Sequence, residues 1–200
     1  DLSAWNDHGV RPTEPELQFQ GSLETFLASR RSVRAFSSML QPSAEQLEEI
    51  VALASQAPSV SNTQCWKVRA YQQSEDIKAL LSLQDGNVGN STIPTLLLVS
   101  VDIRSFTGAN ERNQMWIDGG IFLQQLLLAI HAKGSGSCPM NFSATNNQAA
   151  KLRSLAGLAD YEEVIAFVSV GETDKSIAPA ASIRKPVGDL LVLASLPTSR

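Results

Sequence analysis

The sequence predicts an α+β fold in which one sheet is covered by helices. Three observations point there. TLLLVSV (95–101) and VIAFVSVG (164–171) are continuous apolar runs, the pattern of strands buried on both faces. The strands are few and separated by helices. Residues 114–133, QMWIDGGIFLQQLLLAIHAK, form a long helix that is apolar nearly all round, as a central helix or one in a subunit interface must be.

The elements follow in order. Residues 1–20 hold Pro12 and Pro15 with few apolar positions and read as an N-terminal arm; residues 21–200 read as one domain. The chain starts at Asp1 without an initiating Met, which leaves a longer parent open. Ser22 caps a short helix with Leu23, Phe26 and Leu27 on one face. RRSVRAF (30–36) follows as a cationic turn or short strand. Ser43 and Gln46 fit a capping box for a helix carrying Leu47, Ile50, Val51 and Ala54 at helical spacing, and Ala57-Pro58-Ser59 stops it. WKVRAY (66–71) alternates like a strand. Ser74 opens another helix, with Glu75 and Asp76 in its first turn, where the helix dipole favours acids. DGNVGN (85–90) is a loop. Gly134 ends the long helix, and a helix over NNQAAKLRSLAG is capped near Thr145 or Asn146 and ended by Gly157.

Composition removes several function classes. With 200 residues, 43% hydrophobic and 18% charged, the chain can build a core and is not predicted to be disordered. A net charge of −4 argues against a dedicated nucleic-acid binder. No uninterrupted apolar run approaches the roughly 20 residues that span a bilayer. The polar N-terminus shows no signal pattern, and Cys65 and Cys138 do not make a disulfide framework. A cytoplasmic protein with reduced thiols is the expectation. GxxxxGK[ST], HExxH, CxxC and GxSxG are all absent, and GSGSC (134–138) is a poor dinucleotide fingerprint. His8 and His131 are the only histidines, so no histidine zinc cluster is available and no metal ligand is assigned.

Three clusters remain as candidates for chemistry. Arg30, Arg31 and Arg34 form a basic patch in an acidic chain, either a solvated turn or an anion site. Arginine forks bind phosphate bidentately, Ser32 adds a hydroxyl, and Arg184-Lys185 could complete such a site from far along the chain. APSVSNTQCW (57–66) is a polar loop whose small hydroxyl and amide groups suit a planar polar ring system. SCPMNF (137–142) reads as a turn leaving the long helix, where the amides of Met140 and Asn141 could point at a ligand.

Taken together, RRSVRAF, APSVSNTQCW, the Gly119-Gly120 helix running into GSGSCPMNF, LAGLADYEEVIAFVSVGE and SIRKP resemble the FMN-dependent nitroreductase family. The resemblance covers about residues 22–190 and is nearest to short members found near polysaccharide biosynthesis genes. It implies a sandwich with a mixed, mainly antiparallel sheet, and a homodimer with the long helix at its interface and FMN between the subunits. On this resemblance, Arg30 and Ser32 contact the phosphate or ribityl chain, Arg31 flanks the flavin, and Arg34 lies at its N1–C2=O edge. A cation there suits the negative charge of reduced flavin. Pro58, Ser59, Val60 and Asn62 match the loop that reaches the flavin from the other subunit. Pro139, Met140 and Asn141 match the segment over it, Arg184 matches a phosphate ligand, and Asn87 or Asn90 touches the ring or ribityl chain.

The chemistry so implied is NAD(P)H oxidation with transfer of hydride to a nitro, quinone or similar acceptor in a ping-pong cycle, with no side chain required as general acid. Two alternatives stand beside it. One is a flavin-binding module or biosynthetic-assembly subunit without turnover. The other is a relative with different flavin chemistry, such as dehydrogenation, dehalogenation or flavin fragmentation. Cys65 replaces a family proline, Val60 replaces a common hydroxyl residue, and the short stretch between Asp102 and Gln114 leaves little room for a lid. Met115 and Trp116 are expected to pack at the interface.

Overall fold

A computed structural model describes residues 22–37, 40–85, 92–174, 176 and 182–196. The chain divides into two compact units, residues 1–30 and residues 31–200. In the first, α1 (Leu23–Ser29) begins where the Ser22 hydroxyl accepts the Thr25 N–H at 3.2 Å. The arm over residues 1–20 lies outside the described residues.

The second unit is built on one four-stranded antiparallel sheet in the order β1-β2-β4-β3. Its strands are β1 (Trp66–Tyr71), β2 (Thr95–Asp102), β3 (Gly136–Asn141) and β4 (Glu162–Gly171). Around it lie α2 (Ala44–Ala54), α3 (Ser74–Leu81), α4 (Gln114–Ala132) and α5 (Asn146–Leu155). Both central strands are the apolar runs picked out above. Thr95 through Val101 are all buried. Side-chain alternation sends Leu97 and Val99 to one face, where they meet Ile50 of α2 and Phe122, Leu126 and Ile130 of α4. Leu96 and Leu98 go to the other face and meet Ile77 and Leu80 of α3 and Leu152 of α5. A sheet covered on both faces needs strands without a polar face, and these two have none.

The capping predictions hold in detail. Ser43 and Gln46 exchange both bonds of a capping box, at 3.2 and 2.9 Å, and Thr145 and Gln148 do the same for α5. Gly157 takes φ +61° just beyond α5, a left-handed position that suits glycine. Helix α4 is long and apolar enough to cross a membrane by length and composition. It instead packs one face on the sheet, where Trp66 of β1 stacks on Phe122 with ring centroids 4.7 Å apart. Its opposite side leaves Trp116, Ile117 and Ile121 exposed at 47%, 51% and 38%.

One element departs from the sequence reading. Residues 136–141 are a strand, not a turn. Their apolar signal is weak because β3 is an edge strand and Pro139 interrupts the run. Proline cannot donate to a ladder and is tolerated at a sheet edge.

Candidate functional site

The cationic segment is extended and is stitched to the end of the sheet. Ser32 bridges Ser137 of β3 in parallel, and the Val33 N–H donates to Ser137 O at 2.8 Å. Phe36 bridges Thr173 just past β4; Ser37 N–H donates to Glu172 O at 3.0 Å and Asp174 N–H to Ala35 O at 3.1 Å. Two glycines permit this approach. A Cβ on Gly136 would lie 2.5 Å from Thr173 Oγ1 and 3.0 Å from Val33 Cβ. One on Gly171 would lie 2.8 Å from Phe36 Cδ1. Ser32 is thereby fixed at the start of the edge strand that carries Pro139, Met140 and Asn141. Arg31 and Arg34 flank it and are exposed. Among the described residues Arg34 has no ion-pair partner.

The second cluster folds as a tight loop with unusual backbone. Val60–Asn62 form a single 3-10 turn, and Ser61, Asn62 and Gln64 take φ of 48°, 54° and 48°. Three left-handed non-glycine residues in so short a stretch cost about 1–3 kcal/mol each and persist only where neighbours hold them. Ser59 holds one end: its carbonyl accepts Asn62 N–H and its hydroxyl accepts Gln64 N–H, each at 3.1 Å. Asp118 of α4 ties the adjacent residue to the fold. Its Oδ2 accepts Val60 N–H at 3.1 Å and its Oδ1 accepts the Gln114 amide at 2.8 Å, with the residue 1% exposed. Cys65 closes the loop into β1, its carbonyl accepting Asp102 N–H at 2.8 Å. Burial and the nearby Asp118 charge push its thiol up to about 11. A reactive thiolate at neutral pH is therefore not available there.

The third cluster divides by side chain. Met140 is 7% exposed and packs in the core with Phe167 and Leu152, so toward a ligand it has only its backbone to offer. Asn141 is exposed, and its carbonyl is taken by the Gln84 amide at 2.9 Å. Of the remaining predicted site residues, Arg30 is the last residue of the first unit. Asn87 and Asn90 lie outside the described residues. Arg184 is exposed and donates to Ser182 O at 3.2 Å.

A separate charged cluster occupies the α3/α5 face. Glu162, 3% exposed, accepts Arg69 bidentately at 2.6 and 2.9 Å and the Ser100 hydroxyl at 2.9 Å, with Lys67 at 3.4 Å. These hydrogen bonds, Arg69 first, hold its carboxyl down to about 2. Arg153 donates to the carbonyls of Ala159 and Glu162. Arg104 pairs with Asp102 at 2.6 Å and lies 3.3 Å from the Tyr161 ring centroid. Every charge here has its partner, so the cluster ties β1, β2 and β4 together.

Asp118 and Gln114 were not singled out from the sequence. The available signal was a lone carboxylate on an otherwise apolar helix, which has to face solvent or meet a specific donor.

Solved structures share this architecture. A protein from Desulfovibrio desulfuricans described as a nitroreductase, in complex with FMN, superposes with a TM-score of 0.75 at 21% identity, covering 90% of this chain and 100% of that one. One from Staphylococcus epidermidis described as an NAD(P)H:FMN oxidoreductase gives 0.75 at 18% identity, covering 87% and 96%. By sequence, the chain is 24% identical to 4-nitrobenzoate reductase of Pseudomonas putida, over 82% of this chain and 90% of the relative. The nitroreductase family model matches residues 27–87 and 91–172, and the chain belongs to that family.

Proposed function

We propose that the protein is an FMN-dependent NAD(P)H oxidoreductase that works as a homodimer and reduces nitro, quinone or similar acceptors. The observation that carries this reading is the seating of residues 31–37 on the edge of β3, with Arg34 exposed and unpaired among the described residues. The donor set fits a flavin mononucleotide. Arg31, Arg34 and the Ser32 hydroxyl are cationic and neutral donors suited to phosphate and to an electron-rich ring edge. Family membership and the FMN and NAD(P)H named for the similar proteins support the same cofactors. When bound, FMN would supply two-electron hydride chemistry between NADH or NADPH and the acceptor.

The chain's own residues bind and orient. Arg34 stabilises negative charge at the ring's N1–C2=O edge. Ser32, with Arg30 and Arg31 assigned from sequence, holds the phosphate, ribityl chain and ring flank. Pro58, Ser59, Val60 and Asn62 meet the cofactor of the other subunit on their preformed loop. Pro139, Met140 and Asn141 lie over the ring, with Met140 acting through its backbone. Asn87 or Asn90 and Arg184 complete the set.

The dimer is supported by what one chain leaves uncovered. Trp116, Ile117 and Ile121 share the outer face of α4. Ile183, Leu193 and Leu196, on the tail, are 95%, 91% and 92% exposed. Exposed apolar patches mark protein–protein interaction sites, and the outer face of α4 is the candidate patch. A second subunit covers both, and Arg184, which lies on the same tail, is assigned to the site that the dimer forms.

The test is an absorbance spectrum of the purified protein, followed by anaerobic NADH and then NADPH. Flavin bands that bleach with one nucleotide, and return when a nitro or quinone acceptor is added, support the cycle. Bound flavin that stays oxidised with both nucleotides overturns the NAD(P)H reading. Absence of flavin, before and after reconstitution, overturns the cofactor assignment. Light scattering reads the dimer.

A further inference from the structure

We infer that Asp118 is a positioning residue for the cofactor: its buried carboxylate, oriented by Gln114, pins Val60 and so holds residues 59–64 in the left-handed conformation that presents Ser59, Val60 and Asn62 to the flavin. This rests on the assignment of that loop to FMN binding. Four features carry it. The loop places three non-glycine residues at positive φ, a conformation that asparagine tolerates at position 62 but that serine and glutamine do not favour at 61 and 64. Its own internal bonds come from Ser59 and from the Thr63 N–H to Val60 O contact, at 3.0 Å, and they close the turn on itself without tying it to the fold. The Asp118–Val60 bond links residues 58 apart in sequence and is the loop's tie to α4. The carboxylate is 1% exposed, and both of its oxygens are engaged by N–H donors, one from the loop and one from the helix turn before it.

The chemistry favours a carboxylate over its amide. Two N–H donors converge on one side chain, and only a carboxylate offers an acceptor to each. In Asp118→Asn the new amide NH2 faces either Val60 N–H or the Gln114 amide, and one partly buried donor loses its acceptor. Turning Gln114 to leave its oxygen facing the new amide rescues one side, but Val60 then depends on a neutral acceptor. The charge is felt beside the loop as well, since it helps to raise the Cys65 thiol. Helix α4 also carries the exposed face assigned above to the dimer interface. Asp118 thus couples the helix at that interface to the loop that reaches the cofactor.

The experiment compares wild type, Asp118→Asn, Gln114→Met and Asn62→Ala as holoproteins. FMN dissociation is read by fluorescence on dilution, and Tm is read in parallel. Asp118→Asn is expected to weaken FMN about 10-fold, the size of one loosened, partly buried hydrogen bond to a charged acceptor. Gln114→Met is expected to weaken it about threefold. Because Asp118 acts through the loop, Asp118→Asn added to Asn62→Ala is expected to cost less than about twofold more. FMN affinity within twofold of wild type, with only Tm lowered, overturns the inference while leaving the flavin assignment standing. So does full additivity with Asn62→Ala. If Asp118→Asn does not fold, Gln114→Met decides, and unchanged affinity there also overturns it. A wild-type protein that binds no FMN removes the flavin reading and this inference together.

Discussion

Two arginine-bearing regions of the sheet are built in opposite ways. On the α3/α5 face, Arg69 makes a bidentate pair with Glu162, a carboxylate buried to 3% exposure, and Arg153 is fixed on two backbone carbonyls. At the sheet end, Arg34 stands exposed on a segment anchored by backbone hydrogen bonds and by the packing of Phe36. The first region uses its charges to hold strands together. The second uses main-chain bonds for support and keeps a guanidinium available. The difference teaches that a cation's role is read from what its neighbours already satisfy. The residue type is the same in both.

The largest effect expected from this contrast is Glu162→Gln. Breaking one side of a buried pair strands Arg69 and costs about 3–5 kcal/mol of stability. Urea unfolding of the holoprotein and of Glu162→Gln measures it, and FMN affinity of the folded variant is expected to stay within twofold of wild type. A matching loss of flavin affinity would erase the distinction between the two regions.

The same pair sets an acid limit. The Glu162 carboxyl lies at about 2 in the fold against an ordinary 4.5. A depressed value stabilises the fold in full above about 4.5, and that contribution is lost as pH falls toward about 2. Stability followed between those values is expected to decline in wild type, with a shallower slope in Glu162→Gln. Equal slopes would assign the acid limb to other groups.

Next in size is Gly136→Ala. Its Cβ meets Thr173 and Val33, so the cationic segment must lift from β3. Overpacking of this kind costs about 1–3 kcal/mol. Here stability and FMN affinity are expected to fall together, because the segment is at once structure and site. Arg34→Ala sharpens the point from the other side. It is expected to weaken FMN about 10-fold and slow its reduction, while stability shifts by no more than about 0.5 kcal/mol. Unchanged affinity and reduction rate would remove the role given to Arg34. The smallest effect concerns Cys65. With its thiol pushed up to about 11 and buried, it is expected to resist iodoacetamide at pH 8 in the folded protein and to react on unfolding.

Much of the frame was legible in the sequence because it follows from local rules. The capping box at Ser43, the cap near Thr145, the apolar runs of β2 and β4 and the length of α4 each depend on residues close together in the chain. Strand β3 was not legible as a strand. Its identity comes from pairing with β4, where Ser137 faces Val170 and Met140 faces Phe167, and its own residues include a proline and few apolar side chains. The loop at residues 59–65 was visible as a polar cluster after a helix stop, but its left-handed backbone was not, since of Ser61, Asn62 and Gln64 only the asparagine favours it. Asp118 stood in plain view in α4, and its purpose did not.

The sequence by itself determined where helices begin and end, which strands are buried on both faces, and, through five ordered motifs, the family resemblance. Those are matters of short-range periodicity, capping and pattern. Tertiary structure alone decided which charges are satisfied and which remain available. It joined Arg69 to Glu162 across 93 residues and left Arg34 at the surface. It set Ser32 against Ser137 through two glycine clearances and brought Asp118 to Val60. These depend on packing distances between segments far apart in the chain, and no local preference encodes them.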